Sequence, residues 1–345
     1  MQLTESSRVA ILLQGGIKGH HGKTGLAFLR YSQTTAVAVI DAETAGKSLS
    51  ELTQIERQLP IVKDVQAALA YQPDVLLIGI APSGGQLPVD LATEIEVAVK
   101  AGLSIVNGLH TPLQPLFSAL QPGQEIWDLR QEPTGLTIGK GKAKYLNAQR
   151  ILTVGTDMAI GKMSASLELY HAARKRGIKA QFVATGQAGI AIAGQGIPLD
   201  AVRVDFAAGA VEKTVFELGI DCELLTIEGQ GSLLHPGSTA TLPLIRGSQP
   251  TGLVLVHRAE AKHLHDLPDV LIPPLTEVIQ LYETVANAGG AFESVKVKAI
   301  ALNTWGLNNT EAEAVIKATA ELTALPCSDV VRYGGATLLP AVYAS

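Results

Sequence analysis

The sequence has few cysteines, few aromatic residues and no excess of positive charge, and each shortage excludes a class of protein. Only two cysteines occur among 345 residues, so neither a disulfide framework nor a zinc site built on paired cysteines is expected. Lys and Arg total 27 against 32 Asp and Glu, which excludes the basic composition typical of nucleic-acid-binding proteins. Aromatic residues make up 4% of the chain, which predicts a core of aliphatic side chains.

Long apolar runs are also missing from the sequence. A transmembrane helix needs about 18 or more uninterrupted apolar residues, and no such stretch occurs. The segment Met1–Arg8 is polar where a secretion signal needs an apolar run. We therefore expect a cytoplasmic protein without membrane partners. Its 47% hydrophobic and 17% charged residues are typical of a globular enzyme, and its length predicts about two domains.

Short β-branched runs alternate with helical patterns along the whole chain. This alternation predicts an α/β fold in which both domains are built mainly on parallel sheets. A stretch rich in Pro, Gly and Gln, residues 112–149, separates the fourth run from the fifth, and we place the domain boundary between residues 146 and 147. The predicted strands are Val9–Leu13, Ala36–Ile40, Asp74–Ile80, Ser104–Val106, Ile151–Val154, Ala180–Ala184, Glu223–Ile227, Thr251–Val256 and Lys296–Leu302.

The strongest motif is a glycine-bounded loop between a predicted strand and a predicted helix, Gly155-Thr-Asp-Met-Ala-Ile-Gly-Lys-Met-Ser164. Backbone N–H groups of such a loop, the N-terminus of the following helix and the lysine together bind phosphate. The predicted cofactor-binding residues are Gly155, Thr156, Asp157, Gly161, Lys162, Met163 and Ser164.

The motif departs from the usual G-x-x-x-x-G-K-[ST] pattern in two ways. One extra residue separates Gly155 from Gly161, and Met163 stands where Ser or Thr normally contacts magnesium. Ser164 follows directly and is the substitute hydroxyl. We therefore predict a phosphate site and assign no metal ligand.

Three residues downstream are candidates for catalysis. Glu228 follows a buried apolar run and precedes glycines, which predicts a position at the ligand-binding edge of a parallel sheet. His235 lies in the next loop and suits a general base near neutral pH, with a structural histidine as the alternative. Asp205 is predicted to bring a second carboxylate to this edge, with a capping or solvated carboxylate as the alternative.

The first half of the chain contains a second glycine-rich loop, Gly16-Ile-Lys-Gly-His-His-Gly-Lys-Thr24, which repeats the spacing from Gly155 to Lys162. Asp41 ends the next predicted strand, about where a ribose-binding acid lies in a dinucleotide-binding domain. The full G-x-G-x-x-G spacing is absent. Two interpretations of this loop therefore stand, a second anion site and a glycine-rich turn that caps the helix beginning near Lys23. A further turn or ligand cleft is predicted at Ala81-Pro-Ser-Gly-Gly85.

Several motifs in one order resemble a bacterial and archaeal family named after D-glutamate N-acetyltransferase, formerly a family of unknown function. The motifs are Gly155–Ser164, Asp205–Glu212, Glu228–Pro236, Ile272–Leu275 and Leu302–Leu307, together with Lys23-Thr24, Arg30-Tyr31 and Val37–Asp41 in the first half. The resemblance implies a Rossmann-like N-terminal domain and a P-loop NTPase-like C-terminal domain. It also implies acetyl transfer from acetyl-CoA to the amino group of D-glutamate, with Asn303 at the cofactor.

The same loop is similar to that of dethiobiotin synthetases, which use ATP and magnesium. An ATP-dependent ligase or kinase, with ATP and Mg²⁺ held by Lys162, Ser164, Asp205 and Glu228, is therefore the alternative to an acetyltransferase. For either activity we expect a small-molecule amino-acid substrate and a homo-oligomer. In the acetyltransferase, His235 is the first candidate for the base and Glu228 the second.

Overall fold

The structure, a computed structural model, describes residues 1, 3–19, 21–80, 87, 89–117, 119–288 and 294–343. The chain divides into two compact units. Unit 1 comprises Met1–Glu132 together with Gln187–Ala201, and unit 2 comprises Pro133–Gly186 together with Val202–Ser345. The predicted turn at Ala81-Pro-Ser-Gly-Gly85 lies outside the described residues.

The units divide earlier in the chain than the boundary predicted between residues 146 and 147. The backbone N–H groups of Lys140 and Lys142 donate to the carboxylate of Glu212 at 2.8–3.0 Å. Glu212 is buried on a helix of unit 2, so the Pro- and Gly-rich stretch before the predicted boundary is anchored to unit 2. A second difference is Gln187–Ala201, which lies in the second half of the sequence but packs in unit 1.

Unit 1 is built on a parallel sheet whose central strands are almost completely buried and rich in aliphatic residues. Its strands are β1 (Arg8–Leu12), β2 (Thr35–Ile40), β3 (Ile61–Val62), β4 (Val75–Ile78), β5 (Ser104–Asn107) and β6 (Ile126–Asp128). Among the described residues they follow the order β3-β2-β1-β4-β5-β6, which is the strand order of a Rossmann fold. The connecting helices are α1 (Lys23–Tyr31), α2 (Leu49–Thr53), α3 (Val65–Ala68) and α4 (Val89–Lys100).

Unit 2 contains the second parallel sheet and a small antiparallel hairpin. Its strands are β7 (Gln149–Gly155), β8 (Ala180–Val183), β9 (Leu224–Ile227), β10 (Gly252–Arg258), β11 (His263–Leu264), β12 (Leu267–Leu271), β13 (Val297–Asn303) and β14 (Cys327–Ser328). The parallel sheet has the order β14-β13-β10-β7-β9-β8 in the described part of the chain, and β11 pairs with β12 in the hairpin. The strand that leads into the predicted phosphate loop, β7, is therefore central and flanked by β10 and β9.

The helices of the second half cover this sheet, except α6, which belongs to unit 1. They are α5 (Lys162–Lys175), α6 (Gln187–Ala193), α7 (Val204–Gly219), α8 (Thr241–Ser248), α9 (Leu275–Asn287), α10 (Asn309–Thr323), α11 (Val330–Tyr333) and α12 (Leu339–Val342). Buried aliphatic residues of β7, β10, α5 and α12 form one core cluster in unit 2, including Ile151, Val254, Leu169 and Leu339. Throughout the described ranges, every helix is too short or too polar to cross a bilayer.

The predicted α/β fold with two mainly parallel sheets is confirmed. Each of the nine predicted runs overlaps a strand of the structure. The strands that the prediction missed, β3, β6, β11, β12 and β14, are two to five residues long, too short for a periodic pattern. The helix predicted after the phosphate loop is α5, and the helix predicted near Lys23 is α1.

Gly209 on α7 allows the backbone around Thr137 to pass close to this helix in unit 2. A Cβ atom on Gly209 would overlap the carbonyl oxygen of Thr137, whereas a Cβ atom on Gly139 would meet Ala208 and Gly209 at an ordinary distance of 3.6 Å. Backbone atoms cannot yield as a flexible side chain can. The two glycines on either side of this crossing should therefore respond differently to substitution.

We expect Gly209→Ala to lower the free energy of unfolding by about 1–3 kcal/mol, the usual cost of overpacking. Gly139→Ala is the matched control, and its effect should stay within about 0.5 kcal/mol. Urea denaturation followed by circular dichroism measures both values. Equal effects of the two substitutions would contradict the close crossing.

Candidate functional site

The loop between β7 and α5 has the form of a phosphate-binding loop. The strand ends at Gly155, the helix begins at Lys162, and Gly161 precedes the helix with a φ of 112°, which favours glycine. The first N–H groups of a helix lack acceptors within it and attract anions. Among the described residues, no acceptor is found for the backbone N–H groups of Ile160 and Gly161. The loop can therefore present backbone donors to an anion.

Side chains from two other elements hold the carbonyl groups of this loop. The hydroxyl of Tyr282, on α9, donates to the carbonyl of Gly155 at 2.7 Å and accepts from the N–H of Leu233 at 3.1 Å. Asn303, at the end of β13, donates from Nδ2 to the carbonyl of Ile160 at 2.9 Å. The structure thus brings Asn303 to the loop backbone. These contacts provide hydrogen-bond donors for two carbonyl oxygens of the loop.

Lys162 is buried, and its ammonium group lies inside the loop. Nζ donates to the carbonyl of Asp157 at 2.6 Å, and the residue is only 6% exposed. Burial lowers the pKa of Lys162 to about 8, while the charges of Asp157 and Glu228 act in the opposite direction. The lysine therefore remains mostly protonated at pH 7 and supplies a positive charge next to the loop donors.

Asp157 uses its carboxylate to shape the loop. One carboxylate oxygen accepts from the N–H of Met158 at 2.6 Å, and the other accepts from the N–H of His265 at 2.5 Å. His265 lies in the turn between β11 and β12. Through these two hydrogen bonds, Asp157 connects the hairpin of β11 and β12 to the loop.

Glu228 lies at the carboxyl end of β9, as predicted, and is 6% exposed. Its Oε2 accepts from the N–H groups of Thr185 and Gly186 at 2.8 and 3.2 Å, just beyond the end of β8. The next residue, Gly229, donates its N–H to Oγ1 of Thr153 on β7 at 2.9 Å, and a Cβ atom there would overlap the Thr153 carbonyl. The glycine thus lets the Glu228 segment lie directly against β7, beside Lys162.

His257, which is buried on β10, also belongs to this site. The register of β7 and β10 places Val256 opposite Gly155, so Thr156, the residue after β7, lies beside His257 of β10. Their Oγ1 and Nδ1 atoms are 2.9 Å apart and share a hydrogen bond. Burial lowers the pKa of His257 to about 4, so its ring is neutral near pH 7. The strand pairing that creates this contact joins residues 101 apart in sequence, and the sequence carries no local signal for it.

Met163 and Ser164, the two residues that follow Lys162, are both half-buried on the first turn of α5. Asp205 is exposed in the first turn of α7, the helix between the parallel neighbours β8 and β9. A helix that connects parallel strands runs against them, so Asp205 also lies at the carboxyl edge of the sheet. Within the described ranges, no cluster of three or more His, Cys, Asp or Glu side chains is arranged to hold a metal ion.

His235 lies in the loop after β9, also as predicted, but both of its ring nitrogens face the backbone. Nδ1 accepts from the N–H of Gly237 at 3.0 Å, and Nε2 lies 3.3 Å from the carbonyl of His265. These contacts correspond to a neutral ring with its proton on Nε2. To accept a further proton, the ring would have to give up the Gly237 contact.

Four cations of unit 2, Arg203, Arg246, Arg258 and Lys262, differ in which edge of the parallel sheet they lie at. Arg203 immediately precedes α7, Arg258 is the last residue of β10, and Lys262 lies four residues beyond it, so these three lie near the carboxyl edge of the sheet. Arg246 lies in the last turn of α8, towards the opposite edge.

Comparisons with known proteins agree with this architecture. The family model for the C-terminal P-loop domain of DUF1611, a domain of unknown function, matches residues 137–339. The model for its Rossmann-like N-terminal domain matches residues 42–132. A solved structure of a DUF1611 family protein from Anabaena variabilis is 60% identical and superposes with a TM-score of 0.95, covering 98% of this chain and 99% of that one.

Two curated relatives carry a functional name. A protein from Tritonibacter scottomollicae called D-glutamate N-acetyltransferase is 35% identical over 81% of this chain and 84% of its own. A Pseudoalteromonas protein of the same name is 35% identical over 75% of this chain and 78% of its own. With matches to both of its domains, the chain belongs to the DUF1611 family.

Proposed function

We propose that the protein transfers the acetyl group of acetyl-CoA to the amino group of D-glutamate. The observation that carries the proposal is the pairing of a buried, positively charged Lys162 with the open backbone donors of the loop. The acceptor is taken from the name of the two relatives, each of which matches this chain over at least three quarters of its length.

Coenzyme A carries a pyrophosphate and a 3′-phosphate, and we assign one of these groups to the loop. The N–H groups of Ile160 and Gly161 and the start of α5 would bind phosphate oxygens, because they carry partial positive charge and lack competing acceptors. Lys162 would exchange the Asp157 carbonyl for a phosphate oxygen. A charge-assisted bond to phosphate is stronger than a bond to a neutral carbonyl.

The transfer step forms a C–N bond and breaks the C–S bond of the thioester. The amine attacks in its unprotonated form, and the tetrahedral intermediate then loses one proton from nitrogen as the thiolate leaves. We assign this proton to Glu228, because its carboxylate lies at the loop edge beside Lys162. In this step the protonated nitrogen of the intermediate is the acid and the carboxylate of Glu228 is the base.

D-Glutamate carries two carboxylates, which need cationic partners. Arg258 ends β10, the strand whose end lies beside the phosphate loop, Lys262 follows that strand, and Arg203 precedes α7. A guanidinium group pairs with a carboxylate through two parallel hydrogen bonds. We assign the substrate carboxylates to Arg258 and Arg203, with Lys262 as additional positive charge.

The first prediction concerns the reaction itself. Acetyl-CoA and D-glutamate together should release free thiol, and EDTA should not slow the release, because no step uses a metal. Reactions without an amino acid and with L-glutamate are the controls for hydrolysis and stereochemistry. Turnover that requires ATP and Mg²⁺ would instead establish the alternative, a ligase or kinase in which Ser164, Asp205 and Glu228 share the metal.

The second prediction concerns the pH dependence of acetyl-CoA binding. The lowered pKa of Lys162 means that its charge is lost as pH rises through about 8. The affinity should fall by about tenfold between pH 7 and pH 9, since the charged fraction falls by about that factor. In Lys162→Arg, which stays charged, the affinity should be independent of pH over this range. Titration calorimetry measures both proteins, and identical profiles would exclude Lys162 from phosphate binding.

The third prediction separates the two candidate bases. Glu228→Gln should lower kcat by roughly 10²–10⁴, the usual contribution of a general base, with little change in the affinity for acetyl-CoA. His235→Ala should lower kcat by less than about tenfold, because its acceptor nitrogen already binds Gly237. The reverse order of effects would transfer the base role to His235.

A further inference from the structure

Unit 1 contains a loop built like the phosphate loop of unit 2. Gly16 and Gly22 are six residues apart, and Lys23 begins α1 as Lys162 begins α5. Gly22 precedes α1 without a side-chain cap, so the first N–H groups of that helix face the loop. The strand order turns at β1, with β2 and β4 on its two sides. In an open parallel sheet, ligands bind where the order turns, beyond the carboxyl ends of the strands.

The carboxylate of Asp41 points at this loop with one oxygen unpaired. Asp41 directly follows β2 and is 1% exposed. Its Oδ1 lies 3.4 Å from the N–H of Gly15 and 3.1 Å from the N–H of Glu43. Its Oδ2 is buried and has no hydrogen-bond partner within the described part of the chain. A buried carboxylate oxygen without a donor is unfavourable, and a donor from a ligand would satisfy it.

Two buried hydroxyl groups nearby in sequence are also unpaired. Thr24 is in the first turn of α1 and 1% exposed, and its Oγ1 has no partner among the described residues. The same holds for Oγ1 of the fully buried Thr44, three residues after Asp41. Well-folded proteins satisfy nearly all buried polar groups. Three unpaired groups on the two segments that follow β1 and β2 therefore indicate a site that a polar ligand completes.

Close packing of α1 fixes where its N-terminus lies. Gly25 donates its N–H to the carbonyl of Gly79, just beyond β4, at 2.8 Å. A Cβ atom on Gly25 would lie 2.8 Å from Cγ2 of Ile11 and 3.0 Å from Cα of Gly79. The helix therefore lies directly on the ends of β1 and β4. In dinucleotide-binding domains the last glycine of the loop has this role.

We propose that unit 1 binds a dinucleotide whose adenosine ribose carries free hydroxyl groups. The pyrophosphate lies at the N-terminus of α1 beside Thr24, and a ribose hydroxyl donates to Oδ2 of Asp41. Lys18 and Lys23, both exposed, add positive charge near the phosphates. A helix N-terminus selects phosphate and a buried carboxylate selects hydroxyl donors, and a ribonucleotide carries both groups.

Access to this site requires a movement of the loop. Oδ2 of Asp41 is shielded from solvent, so a ribose reaches it only when Gly15, whose N–H contacts the same carboxylate, moves aside. Gly15, Gly16, Gly19 and Gly22 carry no side chain that would block such a movement, and Gly15 has a φ of 68°, which favours glycine. Asp41 also determines specificity, since its negative charge repels a phosphate on the ribose 2′ position. The site should therefore accept NAD⁺ and reject NADP⁺.

The experiment measures NAD⁺ and NADP⁺ binding to the full chain by titration calorimetry. It uses the Lys162→Ala background, so that the loop of unit 2 does not contribute phosphate binding. We expect NAD⁺ to bind at least about tenfold more tightly than NADP⁺. Asp41→Asn keeps the size of the side chain and removes its charge, so it should reduce this preference to less than about threefold.

Asp64→Asn is the matched control, because Asp64 is a capping carboxylate on α3 of the same unit and should leave the preference unchanged. Thermal melting verifies that each variant is folded. The proposal is overturned if the folded Lys162→Ala protein does not bind NAD⁺, or if NAD⁺ and NADP⁺ bind equally and Asp41→Asn changes neither. Displacement of NAD⁺ from the wild-type chain by coenzyme A would also overturn it, because it would place both ligands at one site.

Discussion

The hydrogen bond from the Lys162 ammonium group to the Asp157 carbonyl closes the loop between β7 and α5. Tyr282 and Asn303 donate to the carbonyl oxygens of Gly155 and Ile160 at the two ends of the same segment. While these carbonyls have donors, the N–H groups of Ile160 and Gly161 have no acceptor in the described part of the chain. The side chains that donate to these carbonyl oxygens, Lys162, Tyr282 and Asn303, belong to α5, α9 and the end of β13. The loop therefore keeps its conformation only when these elements are packed together.

Burying the lysine is unfavourable for stability and useful for binding. Burial penalises the charged amine, which is why the pKa of Lys162 falls to about 8. The carboxylates of Asp157 and Glu228 limit that fall. The loop also contains Ala159 with a φ of 55°, a strained value for a residue other than glycine. Unfavourable features of this kind collect at binding sites, where a ligand compensates for them.

The sequence alone predicts those features that rest on local patterns. The nine aliphatic runs mark strands because each buried strand of a parallel sheet is continuously apolar, and Gly155, Gly161 and Lys162 mark the loop through spacing. The contact between Thr156 and His257 depends on strand register and cannot be predicted from spacing. Likewise, the anchoring of Lys140 and Lys142 by Glu212 depends on a contact across about 70 residues, which is why the predicted boundary and the compact units differ.

A crystal structure of the protein with coenzyme A tests the central claim most directly. The account predicts phosphate oxygens within about 3.2 Å of the N–H groups of Ile160 and Gly161. It also predicts that Nζ of Lys162 turns from the Asp157 carbonyl to the phosphate. Coenzyme A bound with its phosphates elsewhere, and Lys162 still on the Asp157 carbonyl, would contradict the account.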